Sequence, residues 1–390
     1  MRNQLPFYGL YIGQFAFLGV QLPFLSGWLS QAGFSINAIG VITGIALAIR
    51  IVSGPFVGLL ADQKFSQSAI LQSVALLMTV SAIGVAVFPF ALPLAIASVA
   101  VMVAFGLIVP ISDTALTRAE RSGHVNFGFV RASGSAAFIL MNIIGGILID
   151  LINYQIALVA MCIASFVALI SARALEVGEP QAVPARKFSF IYIKQLLGNP
   201  VFVIFLLAVS AIQASHAVYY AFSILHWTSI GIPASVIGVL WGTGVLAEVL
   251  VLAKTRRVHQ VFTATSLIAF GGLAAFIRWS ITSTEPSVTG LFIIQLLHSL
   301  TFASTYLGTI LFLRRAVPDQ MSNTAMTITS TFSIGAATGL ATIVGGAIYA
   351  GNGPSVAYLS MALLGILGLI LSFLLRNIWR GDQLQFDQST

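Results

Sequence analysis

Apolar stretches of about 20 residues, each closed by a short polar or glycine–proline break, recur along almost the whole chain; about 20 residues is the length at which a helix crosses the hydrocarbon core of a bilayer. Twelve such spans are predicted, at 6–30, 37–60, 68–88, 92–114, 127–150 and 154–173, then at 200–226, 234–254, 261–281, 288–312, 324–350 and 355–378. Strand-type alternation is absent from them. Helices remain as the open choice, because every backbone N–H and C=O at membrane depth has to be satisfied without water. The expected class is an all-α polytopic membrane protein.

The longest polar stretch, Arg173 to Gly198, contains Glu176, Glu179, Pro180, Pro184, Arg186, Lys187 and Lys194 and separates two sets of six spans. It predicts an N-terminal six-helix half at 1–173, a cytoplasmic linker at 174–198, a C-terminal six-helix half at 199–380 and a polar tail at 381–390. Two membrane halves joined by a linker are a transporter layout, with the binding site expected near the midplane. Span glycines such as Gly134, Gly145 and Gly146 either let helices approach closely or serve packing alone.

Composition excludes a water-soluble protein. Hydrophobic residues are 58% of the chain and charged residues 7%, against about 25% charged in soluble domains. The net charge of +7 does not read as a nucleic-acid partner, because the basic residues lie in short segments between spans. Of the 18 Lys and Arg, 15 fall on one side of the map: Arg2, Lys64, Arg118, Arg121, Arg173, Arg186, Lys187, Lys194, Lys254, Arg256, Arg257, Arg314, Arg315, Arg376 and Arg380. The opposite loops carry none, so both termini are expected in the cytoplasm. Arg2 precedes a long apolar segment without a small-residue cleavage site, which reads as a retained first span. The single cysteine, Cys162, lies within an apolar run and rules out a disulfide framework or a cysteine metal cluster. No metal or cofactor is expected.

Ionisable residues inside spans are costly and point to function. Arg50, Asp113, Arg131 and Glu248 are such residues, and Arg278 lies near the outer end of its span. His216 and His298 titrate near neutral pH. The bland alternatives stay open: a snorkelling Arg278, a structural Asp113–Arg131 pair and packing roles for the histidines. Arg131, with Arg50 or Arg278 as helpers, offers a fork that matches a carboxylate. As a set, Phe138, Tyr219, Tyr220 and Trp241 offer an apolar wall, with a lipid-facing or packing role open for each taken singly. Asp113, Glu248 and His298 are the candidate proton carriers.

The segment Gly58-Leu59-Leu60-Ala61-Asp62-Gln63-Lys64 resembles the loop signature of the major facilitator superfamily, without its second glycine and trailing basic pair. The resemblance implies a conformational latch at Gly58, Asp62 and Lys64. Pro110-Ile111-Ser112-Asp113 followed by Asn126 to Gly134 resembles the lactose permease region that gives a carboxylate and an arginine to the sugar, with aspartate in place of glutamate. By that resemblance Phe138 replaces a tryptophan stacked on the substrate, His298 falls at a proton-pathway histidine and Arg278 at a span-nine arginine. Thr301 stands where that permease has a carboxylate. Gln213 to Tyr220, Leu240 to Glu248, Arg278-Trp279 and Gln295 to His298 together resemble the 3-phenylpropionate permease family, a lactose permease-like relative, over nearly the whole chain.

The resemblance implies a proton-coupled symporter, monomeric, in the bacterial inner membrane, with an aromatic carboxylic acid such as a phenylpropionate-like compound as substrate. Sugar or nucleoside symport, and drug or metabolite export, are the alternatives on the same fold. The expected cation for Glu248 is Arg131, since spans 5 and 8 meet in this superfamily. A channel is disfavoured by the lack of a filter-like repeat. An intramembrane enzyme is disfavoured by the absence of HExxH, GxSxG or a cysteine–histidine arrangement. Primary pumping is disfavoured by the absence of GxxxxGK[ST] and of a soluble nucleotide domain.

Overall fold

A computed structural model describes residues 4–63, 67–123, 125–175 and 190–386, with 54–63 and 190 treated as backbone only. The first six spans are α1 Leu5–Gln31, α2 Ile36–Gln63, α3 Gln67–Val87, α4 Ala91–Arg121, α5 Phe127–Leu151 and α6 Tyr154–Ala174. Then follow α7 Phe190–Gly198, α8 Pro200–Ala214, α9 Ala217–Ser229, α10 Ala234–Leu252, α11 Thr255–Val261, α12 Ala264–Thr282, α13 Val288–Leu296, α14 Thr305–Ala316, α15 Ser322–Ser330 and α16 Thr338–Ile378. Wide π-helical turns at Ser299–Ser304 and Thr331–Ala337 connect α13 to α14 and α15 to α16. Among the described residues, eleven helical stretches are long and apolar enough to span a membrane. The last, Asp319–Ile378, runs through a non-helical Gly353 (φ 84°, ψ 173°) followed by Pro354. It therefore supplies two spans, and the total is the expected twelve.

Local chemistry sets the helix starts. Asn126 accepts from the Phe129 N–H at the head of α5, and Asn153 accepts from Gln155 and Ile156 at the head of α6. Asn199, with Pro200 in the first turn, starts α8, while Thr263 and Ser287 cap α12 and α13. Each cap satisfies N–H groups that no helical carbonyl can reach. Helix α4 continues to Arg121, seven residues past the predicted end at 114, because Thr114 and Thr117 return their hydroxyls to Pro110 and Asp113 carbonyls and keep a polar turn helical.

The chain forms two compact units, Met1–Ala185 with Tyr220–Gly242, and Arg186–Tyr219 with Thr243–Thr390. In the first, α1 packs on α5 and α6, and α4 on α2 and α3. Tyr220–Gly242 joins this unit through α5. A side chain at Gly146 would strike the backbone of Ala234 and Ser235, and one at Gly238 the Asn142 carbonyl, so these two helices touch backbone to backbone. In the second unit, α12 and α16 form the main contact, with α8 and α14 against them. One end of it is an apolar cluster including Phe202, Phe205, Phe312 and Trp379, onto which Tyr192 and Ile193 of α7 and Leu384 and Phe386 of the tail pack. The tail is fixed there by the Leu384 N–H donating to the Ala316 carbonyl at 2.8 Å. Outward, residues such as Val80, Leu140, Ile163, Leu250, Ile293 and Leu363 stay exposed, as lipid-facing side chains do.

Candidate functional site

The first unit holds one polar cluster around α4. Asp113 Oδ1 accepts two bonds, from the Tyr11 hydroxyl at 2.5 Å and from Arg131 Nη1 at 3.1 Å. The Arg131 and Asp113 side chains are 38% and 35% exposed, so the pair opens to its surroundings. Tyr11 and Phe15, one turn apart on α1, stack at 6.1 Å between centroids, and the Arg131 guanidinium lies over the Phe15 ring at 4.8 Å. Beside it, buried Gln14 and Ser112 approach to 3.2 Å. Arg50 of α2 lays its guanidinium against the backbone of Gly106 on α4. Phe138 is buried, its backbone packs against Gly19 of α1, and its carbonyl accepts from Asn142. Tyr220 and Trp241 face one another at 5.9 Å, and the Trp241 indole N–H donates to Ser223 at 3.3 Å.

Asp150, at the end of α5, completes the α5–α10 contact: its two oxygens accept from the Ala234 N–H at 2.9 Å and the Ser235 N–H at 2.8 Å. A carboxylate there meets both the unsatisfied N–H groups and the positive end of the helix dipole.

The second unit holds a drier cluster. Arg278 is 1% exposed, not at the lipid–water boundary where a snorkelling side chain would sit. It donates Nη1 to His298 Nδ1 at 2.9 Å and to Thr301 Oγ1 at 3.3 Å, and Nη2 to Gln295 Oε1 at 2.5 Å. Rings of Tyr219 and Trp279 lie 4.8 and 4.4 Å from its guanidinium carbon. His298 Nε2 faces Glu248 Oε2 at 3.4 Å. Within the two units, Glu248 faces His298 and Arg131 pairs with Asp113.

Donor bookkeeping fixes the proton positions. A guanidinium only donates, so His298 Nδ1 presents its lone pair to Arg278 and the ring proton sits on Nε2, toward Glu248. His216 Nδ1 lies 3.1 Å from the Ile212 carbonyl and must donate, while its Nε2 lies 2.9 Å from the Thr301 hydroxyl, which also reaches the His298 carbonyl at 3.2 Å. The helix breaks at Ser215–His216, where the His216 N–H turns to Gln213, and the Ile212 carbonyl takes the Ser215 hydroxyl at 2.6 Å and the His216 ring instead. Arg278 is thus bonded to His298, which faces Glu248, and to Thr301, which lies against His216. With its Nδ1 lone pair on Arg278, His298 is neutral in this arrangement. The π turn that begins at Ser299 sets Thr301 beside His298, and a wide turn of this kind often marks a functional position.

A family profile described as the MFS_1 like family matches residues 6–360. The chain belongs to the MFS_1 like family. It is a membrane transporter of the major facilitator type, and not an enzyme. Among its relatives, a "Probable 3-phenylpropionic acid transporter" of Escherichia coli (strain K12) is 24% identical over 93% of this chain and 95% of its own. An "Uncharacterized transporter YwbF" of Bacillus subtilis (strain 168) is 23% identical over 94% of this chain and 92% of its own. The solved nucleoside transporter NupG superposes with TM-score 0.79 at 15% identity, covering 97% of this chain and 100% of that one. A bacterial homologue of the lysosomal transporter Spinster gives 0.76 at 13%, covering 98% and 97%. For both solved structures the likeness is one of fold.

Of the predicted residues, the geometry gathers Asp113 and Arg131 in one cluster, and His216, Tyr219, Glu248, Arg278 and His298 in another. It adds Tyr11, Phe15, Gln295, Trp279, Thr301 as a bonded member and Asp150. Of the loop signature, α2 extends over Gly58 and Asp62 as backbone, and Lys64 lies outside the described residues. Among the described residues no three His, Cys, Asp or Glu are grouped to hold a metal ion.

Proposed function

We propose that this transporter is a proton-coupled symporter for a small aromatic carboxylic acid. The observation that carries the reading is the half-open Arg131–Asp113 pair over Phe15: a fork for a carboxylate, with an aromatic face beneath it. A substrate carboxylate takes Arg131 by displacing Asp113 from it, because two carboxylates at one guanidinium repel. The name printed for the Escherichia coli relative supports the substrate class.

The coupled proton goes to Glu248. His298 accepts none while Arg278 occupies Nδ1, and Thr301 supplies no carboxylate. Protonating Glu248 removes the negative charge linked to the buried Arg278 through His298, which destabilises the resting arrangement and drives the exchange of conformations. In this reading Gly58, Asp62 and Lys64 form the latch. The halves are 1–173 and 199–380, joined by a linker at 174–198 and followed by a tail at 381–390. The chain acts as a monomer in the bacterial inner membrane, with both termini cytoplasmic.

The test is uptake of labelled 3-phenylpropionate into proteoliposomes under an imposed pH gradient. Wild type concentrates it; Glu248→Gln exchanges it across the membrane without concentrating it. Accumulation by the Glu248→Gln variant moves the proton site elsewhere. A second reading, sugar or nucleoside symport, draws on Asp113 Oδ2, an acceptor beside Arg131 donors that suits a hydroxyl pair. Competition of uptake by a nucleoside, with none by the aryl acid, selects it.

A further inference from the structure

Arg50 has no hydrogen-bond or ion-pair partner among the described residues, though it lies in a membrane-spanning helix where an unpaired charge is costly. Its guanidinium occupies the place that a side chain at residue 106 would take, so Gly106 is a cradle built into α4 for that group. Gly106 and Asp113 are seven residues apart on the continuous helix α4. Seven residues make almost two turns, which returns to the same face about 10 Å along the axis. At the far end of that interval Arg131 is held by Asp113, with donors to spare. Pro110, exposed on α4, lies between the two stations.

We propose that Arg50 is a second anchoring point for substrate, two helical turns along α4 from Arg131. The ligand class follows from the spacing and from the two cations. It is an elongated aryl acid bearing a second anionic or hydrogen-bond-accepting group at the end of the ring remote from its acid chain. An aryl-propionate with a para-carboxylate or para-hydroxyl spans a comparable length, with Arg131 on the chain carboxylate and Arg50 on the para group. This rests on the carboxylic-acid reading above and narrows it, since an unsubstituted phenylpropionate reaches only the Arg131 end.

The experiment is competition for uptake of labelled 3-phenylpropionate in proteoliposomes by unlabelled 3-phenylpropionate, 3-(4-hydroxyphenyl)propionate and 3-(4-carboxyphenyl)propionate. In wild type the para-carboxylate acid competes about tenfold more strongly than the unsubstituted acid, the scale of one charge-assisted bond. Arg50→Gln removes that preference while the unsubstituted acid keeps its potency. Gly106→Ala, which displaces the guanidinium without deleting its charge, removes the preference too, and Arg50→Lys retains part of it. Equal potency of the acids in wild type overturns the second anchor and leaves the substrate class standing. So does an Arg50→Gln variant that weakens both acids alike. A wild-type protein that takes up none of the aryl acids removes the carboxylic-acid reading, and this inference with it.

Discussion

Asp113 carries two donors on Oδ1 and, among the described residues, none on Oδ2. Tyr11 and Arg131 therefore share one acceptor, and a carboxylate substrate has to draw Arg131 from it. While Tyr11 donates, Asp113 depends less on Arg131. Tyr11→Phe leaves the stack on Phe15 in place but removes that donor, so Asp113 holds Arg131 more tightly. The apparent affinity for 3-phenylpropionate should fall about tenfold, the worth of one hydrogen bond to a charged group, with unchanged yield of folded protein. Equal affinity in binding titrations shows that the hydroxyl has no part in the competition. The Asp113–Arg131 pair was legible in the sequence because charges stand out in apolar runs. Tyr11 and Phe15 were not, since an aromatic residue on a span facing the interior reads like one facing lipid. The same holds for Gln295 and Trp279, which gain meaning only from the buried Arg278 they surround.

The helices were legible as elements, and their interruptions were not. Hydropathy marks where a span begins and ends. It does not mark a one-residue slip of the ladder such as the break at Ser215–His216, nor a π turn at Ser299–Ser304, because neither changes which residues are apolar. The docking of α10 on α5 belongs to the same class. Asp150 read as a plain acid at the end of a span, yet it caps α10 with both oxygens. Asp150→Asn keeps one acceptor and loses the charge, at a cost of about 1 kcal/mol. In a Cys162→Ser background, alkylation of Ser235→Cys by a maleimide should then speed up about fivefold, and an unchanged rate rules out a holding role for Asp150. Gly238→Val puts a branched side chain against the Asn142 carbonyl and should abolish transport while the protein still inserts. Normal transport by that variant refutes the backbone-to-backbone contact.

At the scale of the whole molecule, the twelve spans leave short connections on both sides, and the sidedness of the basic residues predicts which side is which. Ser122→Cys, between α4 and α5, and Thr284→Cys, between α12 and α13, are both exposed positions. Without Cys162, an impermeant maleimide applied to intact cells should label Thr284→Cys and spare Ser122→Cys; the reverse pattern inverts the topology. The fold was readable at this scale because membrane insertion imposes one repeated unit. The two polar clusters were readable only as a scatter of charges, since which charge meets which is settled by packing. The exposed apolar belt, with Leu363 at 62% and Ile163 at 60%, also governs the protein once it leaves the bilayer. In solution it will travel as a particle wrapped in a collar of amphiphile, so sedimentation or scattering weighs the collar together with the 41.3 kDa chain.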